Sequence, residues 1–222
     1  TLLIFNKFSL KVFQYPYTLT FLQLLVFCQC TVCIEVCSFI YFGTGKYGLF
    51  TNLKAMNSFI TPGCVWGLPL AFNMQALSYL NPDTVLIFRV ATIFGVAVGD
   101  LIFFKLSLKL HQKLSLLFTF TGAVIYAYYN LEFSLIGYIF GFLYWFFFVL
   151  SQLLTKAVFV SNPRNTIMCK AFYINLFGSI PILCLAIIFE SFPVSKIPSI
   201  ADHKFSPIPI SFMLGIVLSY VG

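Results

Sequence analysis

Runs of apolar residues long enough to cross a bilayer nearly fill this chain, and short polar clusters separate them. With roughly 20 apolar residues needed per spanning helix, the runs predict helices near 1–5, 18–42, 63–80, 84–104, 114–129, 133–160 and 166–189. An eighth is cut off over 211–222. Asn6-Lys7 closes the first, and Asn81-Pro82-Asp83 makes a tight turn between the third and fourth. Asn130-Leu131-Glu132 turns the fifth into the sixth, Ser161-Asn-Pro-Arg-Asn165 breaks the sixth, and a proline-rich loop follows the seventh.

Composition agrees. The 222 residues are 60% hydrophobic and only 9% charged, with a mean hydropathy of +0.98. A soluble domain carries about 25% charged residues. This chain cannot cover itself with a hydrated surface, so it reads as an all-α polytopic membrane protein in a lipid bilayer. No stretch remains for a separate soluble domain, and the whole of 1–222 reads as one transmembrane domain. The chain opens on Thr1 in one apolar run and stops at Gly222 in another, as a fragment of a longer protein would.

The net charge of +7 does not point to nucleic acid, because the cations sit mainly between apolar runs. The connections after the second, fourth and sixth helices hold Lys46, Lys54, Lys105, Lys109, Lys113, Lys156, Arg164 and Lys170. The alternate set holds Lys7, Lys11, Lys196 and Lys204, and its two tight turns carry Asp83 and Glu132. The positive-inside rule puts the first set in the cytosol and the acidic turns in the lumen or outside. The seven cysteines lie in or at the ends of apolar runs and suggest no disulfide framework. On a helix, Cys28, Cys30, Cys33 and Cys37 scatter around the axis and do not converge on a metal.

Arg89 is the one charge between Asp83 and Asp100. A guanidinium keeps its proton, and at membrane depth it costs ~2.5–3.5 kcal/mol or more. It shares a helical stripe with Thr92, Val96 and Asp100. Asn73, Gln23 and a seventh-helix set of Phe172, Tyr173, Asn175 and Ser179 supply further polar and aromatic groups. Intramembrane polar groups turn toward protein or water, so a central substrate cavity lined by these residues is the expectation. Arg89 would grip phosphate through its fork, Asn175 would read the edge of a base, and Phe172 or Tyr173 would pack on its face. Gly95, Ala97 and Gly99 allow the fourth helix to approach a neighbour closely, and Gly178 and Pro181 allow bending in the seventh. Structural readings stand beside these. Arg89 lies six residues from Asp83, about 9 Å along a helix, within snorkelling reach of the interface. Asn175 and Ser179 can bond between helices, Glu35 can pair with a neighbour, and Asp100 can mark the membrane boundary. No catalytic constellation, resident cofactor or metal site stands out.

The ordered set of Asn6-Lys7, Leu80-Asn81-Pro82-Asp83-Thr84-Val85, Phe88-Arg89-Val90-Ala91-Thr92 and Gly99-Asp100 resembles nucleotide-sugar transporters of the drug/metabolite transporter superfamily. Tyr128-Tyr129-Asn130-Leu131-Glu132-Phe133, Gly137-Tyr138 and Phe172-Tyr173-Ile174-Asn175 extend the likeness. It implies the drug/metabolite transporter fold, ten helices in two inverted five-helix repeats, of which this chain would hold about eight. It further implies a Golgi membrane, with the ER membrane as second choice, and exchange of a cytosolic nucleotide sugar for a luminal nucleoside monophosphate. A homodimer is a further option. GDP-mannose carriers look closest, since their guanine-reading motif is Phe-Tyr-Asn-Asn; here Ile174 replaces one amide. In relatives the place of Arg89 holds a basic residue facing the substrate cavity. The alternatives are a plastid-type sugar-phosphate/phosphate translocator, which would need two cationic clamps, and a non-transporting structural or regulatory protein of the same fold.

Overall fold

The computed structural model describes residues 2–12, 15–42, 53–105, 109–129, 134–161 and 166–190, whose regular structure is entirely α-helical. In chain order the helices are α1 (Leu2–Val12), α2 (Pro16–Phe42), α3 (Leu53–Tyr79), α4 (Pro82–Phe103), α5 (Leu110–Tyr129), α6 (Leu135–Ser161) and α7 (Ile167–Glu190). Four of them, α2, α4, α6 and α7, are long and apolar enough to cross a membrane. Their outward faces carry large apolar side chains such as Phe39, Ile102, Phe142 and Ile188, all exposed, as lipid-facing positions require. The protein is an all-α polytopic membrane protein.

Local chemistry explains where α4 begins and ends. Asn81 is extended at φ −69° and ψ 148°, and Pro82 occupies the first turn, where its missing N–H costs nothing. Asp83 follows at the positive end of the helix dipole. At the other end Lys105 takes a positive φ of 52°, the left-handed conformation that stops helices.

Three boundaries differ by four residues or more from those the sequence predicts, and one is the start of α5, at Leu110 rather than Leu114. α1 does not close at Asn6-Lys7 but runs on to Val12, because both side chains find partners on other helices. α3 begins ten residues before Gly63, at Leu53. Pro62 and Pro69 lie inside it, fully buried; neighbouring helices shield the backbone groups that such prolines leave open. Lys54, Lys113, Lys156 and Lys170 thus belong to helices rather than to connections. The expected helix over 211–222 and the loops holding Lys46, Lys196 and Lys204 lie outside the described residues.

α3 is the central element, packed most extensively on α6 and α7, while α2 packs on α7 and α4 on α6. Helices in lipid associate through close packing of small residues rather than hydrophobic expulsion. A Cβ added at Gly67 of α3 would collide with the Gly178 carbonyl of α7, and one at Gly63 would lie 2.6 Å from Phe177. The α3–α7 crossing is therefore closed to larger side chains at both positions. Gly95 and Gly99 seat α4 against Val149, Trp145 and Leu153 of α6, the close approach their spacing predicts. α5 is exposed along most of its length and packs on α4.

Candidate functional site

At the end of the bundle where α1, α3 and α7 finish and α2 and α6 begin, the helices splay around a cavity of about 1030 Å³. Lys7, Lys11, Gln75, Tyr79, Phe140 and Glu190 are among the residues of its wall. Two of these charged side chains hold helix ends. The last residue of α7, Glu190, accepts the backbone N–H groups of Tyr17 and Thr18 at 2.8 Å each and the Thr18 hydroxyl at 2.7 Å. These amides open α2 and have no partner within their own helix, and the carboxylate sits at the positive dipole end. Lys7 performs the opposite task. Its Nζ donates to the Leu77 carbonyl at 2.5 Å and to the Leu80 carbonyl at 2.9 Å, covering the negative end of α3. Beside Lys7, the Asn6 carboxamide oxygen accepts from Gln23 Nε2 at 3.1 Å, tying α1 to α2.

One face of the cavity is aromatic. Tyr79 stacks on Phe140 with centroids 6.1 Å apart and planes 7° apart, and Phe72 stacks on Phe140 at 6.2 Å. Within the wall, the Gln75 Oε1 is buried and has no hydrogen-bond partner among the described residues. An unmatched buried acceptor costs roughly 1–3 kcal/mol. It is therefore a polar group that a ligand's donor would satisfy.

The eight residues expected to line a substrate site lie elsewhere in the bundle, and none is in this wall. Gln23 is half-buried on α2. Asn73 is buried on α3, and its Oδ1 has no partner among the described residues. Thr92 is buried and donates to the Arg89 carbonyl at 2.6 Å. Phe172 and Tyr173 are buried among Phe27, Cys28, Phe59 and Cys169, and Tyr173 stacks on Phe59 of α3 at 5.9 Å. Asn175 accepts from the Trp66 indole N–H at 3.3 Å. Ser179 is buried and donates to its own helix at Leu176. Phe172, Tyr173, Asn175 and Ser179 thus share the α2–α3–α7 side of the bundle.

Arg89 is exposed on α4. It lies within electrostatic reach of the Tyr144 hydroxyl of α6, a buried group with no hydrogen-bond partner among the described residues. Asp83 instead meets the Tyr126 hydroxyl of α5. Arg89 therefore turns toward α6 rather than back to the interfacial acid.

At the opposite end of the bundle, Asp100 is ion-paired with Lys156 at 2.7 Å, which makes it a link between α4 and α6. Glu35 and Lys170 are both buried and both lie near the Cys169 thiol. Lys170 donates to the Phe159 carbonyl at 3.3 Å and covers that ring at 4.8 Å. Cys28 is buried whereas Cys33 and Cys37 are exposed, so the thiols of this tract face different ways.

The sequence reading counted Lys7 and Lys11 as junction charges and assigned no role to Glu190. One signal was present: Lys7 and Lys11 stand four residues apart, on one face if the helix continues. Nothing local reveals that Glu190 caps α2, which starts 174 residues earlier at Pro16.

The cavity, with its cations, aromatic face and amide, thus lies in an all-helical bundle of which four helices are long and apolar enough to cross a membrane. The chain is 26% identical to GDP-fucose transporter 1 of Arabidopsis thaliana over 237 aligned residues, covering 100% of this chain. It spans 65% of that protein's length. No family model matches the chain. The similarity supports the nucleotide-sugar transporter resemblance carried by the motifs. The relative is named for GDP-fucose rather than GDP-mannose, so this support reaches the class and not one sugar.

Proposed function

We propose that the protein is a nucleotide-sugar antiporter of the Golgi membrane, a carrier rather than an enzyme, and without a resident cofactor. It would exchange a cytosolic GDP-linked sugar, GDP-mannose or GDP-fucose, for luminal nucleoside monophosphate. The observation that carries this reading is the similarity to a GDP-fucose transporter along the whole chain. The all-helical membrane architecture supports it. In this reading 1–222 forms part of one transporter domain of two inverted five-helix repeats, which rock about a mid-membrane site and can pair as a homodimer.

Arg89, held near Tyr144, takes the phosphates. Asn175, held by Trp66, reads the base, while Gln23, Asn73, Thr92 and Ser179 supply further polar contacts. Ile174 is buried and lies against Gly63. The position where the motif's first amide would stand thus serves α3–α7 packing, which leaves Asn175 as the base-reading amide. Phe172 and Tyr173 pack against α2 and α3 in this conformation, so reaching a base would require α7 to move relative to them. The test is uptake of labelled GDP-mannose and GDP-fucose by proteoliposomes loaded with GMP. Saturable uptake of either sugar supports the reading, and uptake of neither contradicts it.

One observation favours a second reading. Lys7 and Lys11 both line the cavity, the paired cations that a sugar-phosphate/phosphate translocator needs. Exchange of triose phosphate for inorganic phosphate, with none for nucleotide sugars, would select it.

A further inference from the structure

The seven cysteines are all free thiols, and they divide by burial. Cys28 and Cys169 are buried and Cys30 and Cys64 are half-buried, whereas Cys33, Cys37 and Cys184 are exposed. Free cysteine is among the side chains most often buried, so thiols on the outer surface are the unusual ones. Two of the three stand together on the last turns of α2, which is two-faced there. Thr31, Glu35 and Ser38 are buried on the side turned to the bundle. Cys33, Val36, Cys37 and Ile40 follow the i, i+3, i+4, i+7 pattern of one helical stripe, and all four are exposed. Cys33 and Cys37 are therefore neighbours one turn apart, on an apolar surface of a membrane-crossing helix.

Depth and sidedness separate this pair from the other thiols. The 27 residues of α2 measure about 40 Å, against about 30 Å for the hydrocarbon core. A helix centred on the core puts Cys37 roughly 3 Å and Cys33 roughly 9 Å below its nearer edge. Cys30, a further turn in, comes to roughly 13 Å. In the orientation derived from the charge pattern, that edge is the cytosolic one. Cys184 stands six residues before the end of α7, at a similar depth under the opposite, luminal edge. We propose that Cys33 and Cys37 are sites of S-acylation by a long-chain fatty acid. The donor is an acyl-coenzyme A thioester, whose charged carrier keeps it on the cytosolic side. The cysteine sulfur bonds to the acyl carbonyl carbon, the bond from that carbon to the coenzyme A sulfur breaks, and coenzyme A leaves as a thiol carrying the proton that cysteine gives up. Each acyl chain then lies along the Val36–Ile40 stripe and ties the end of α2 to the cytosolic leaflet. The modification rests on the orientation and not on which solute is carried.

The experiment is acyl-exchange mass tagging of the protein expressed in eukaryotic cells. Free thiols are blocked, thioesters are cleaved with neutral hydroxylamine, and each thiol released takes one polyethylene-glycol maleimide, which retards the band by one step. The wild type should give one-tag and two-tag bands that depend on hydroxylamine. Cys33→Ala and Cys37→Ala should each lose the two-tag band, and the double substitution should lose both bands. Cys184→Ala should match the wild type, because its thiol lies on the side without the donor. Alanine keeps these positions small and apolar. Should a variant fail to fold, peptide mass spectrometry of the wild-type protein locates the acyl groups directly and decides the question. Acyl groups on Cys33 and Cys37 with none on Cys184 support the proposal. A wild type without tags, tags that survive in the double variant, or acyl groups on Cys184 would each overturn it.

Discussion

Glu190 receives both the backbone N–H and the hydroxyl of Thr18, at 2.8 and 2.7 Å, so the last residue of α7 caps the first turn of α2. Lys7 mirrors it across the cavity, closing α3 from α1. Each charge sits where a neighbouring helix dipole favours it, and each ties together helices distant in sequence.

Glu190→Ala leaves the Tyr17 and Thr18 amides without acceptors and should destabilise the protein by about 1–3 kcal/mol. Glu190→Gln keeps an acceptor oxygen and should lose less. Lys7→Met should also destabilise, by up to ~2 kcal/mol, since the α3 carbonyls lose a cation. Melting temperatures of purified protein in detergent check the order at the α7 end, with wild type highest, Glu190→Gln next and Glu190→Ala lowest.

The α3–α7 crossing gives a steric test. Gly67→Ala drives a methyl group into the Gly178 carbonyl, a backbone atom that cannot swing aside. The substitution should cost about 1–3 kcal/mol or more through overpacking. Gly122→Ala on α5 meets nothing within 4 Å and should leave stability unchanged or slightly raised. Paired melting curves make the comparison, and equal effects at the two positions would contradict the packing described.

Most of the helical order was legible because long apolar runs and proline turns are local signals. Asn81-Pro82-Asp83 announces the start of α4 within a residue or two. The failures came where polar residues are satisfied at a distance. Asn6-Lys7 reads as a helix end until Gln23 and the α3 carbonyls are seen to meet those side chains. The first turns of α3 are too polar to read as a span. Lys170 reads as a loop charge, yet it is buried over Phe159.

Arg89→Ala should remove nucleotide-sugar exchange while leaving the fold intact. Losing one charge-assisted contact to phosphate is worth about 1.5–3 kcal/mol, tenfold or more in apparent affinity. Tyr144→Phe should give a smaller loss, since it removes the hydroxyl beside the guanidinium but not the charge. Counterflow together with melting temperature separates transport from folding. Normal exchange by Arg89→Ala would remove this residue from the site.

The candidate site was less legible than the fold. A single intramembrane arginine flagged α4, and amides flagged α3 and α7, but periodicity cannot say which faces meet. Asn175 is engaged by Trp66, and Tyr173 by Phe59. The cavity wall joins the ends of helices from remote parts of the chain, and no local pattern encodes that meeting.

The charge pattern also predicts sidedness. With a membrane-impermeant maleimide on sealed microsomal vesicles whose outer face is cytosolic, Lys109→Cys should be labelled from outside. Asp83→Cys should react only after the vesicles are opened. The reverse pattern would overturn the orientation and move the cavity to the cytosolic side.

Counterflow in proteoliposomes decides whether the protein is an exchanger of nucleotide sugars. Vesicles loaded with GMP should take up external GDP-mannose or GDP-fucose several times faster than empty vesicles, as obligatory exchange demands. Uptake that is absent for GDP-, UDP- and CMP-sugars, or indifferent to the internal nucleotide, would contradict a nucleotide-sugar antiporter.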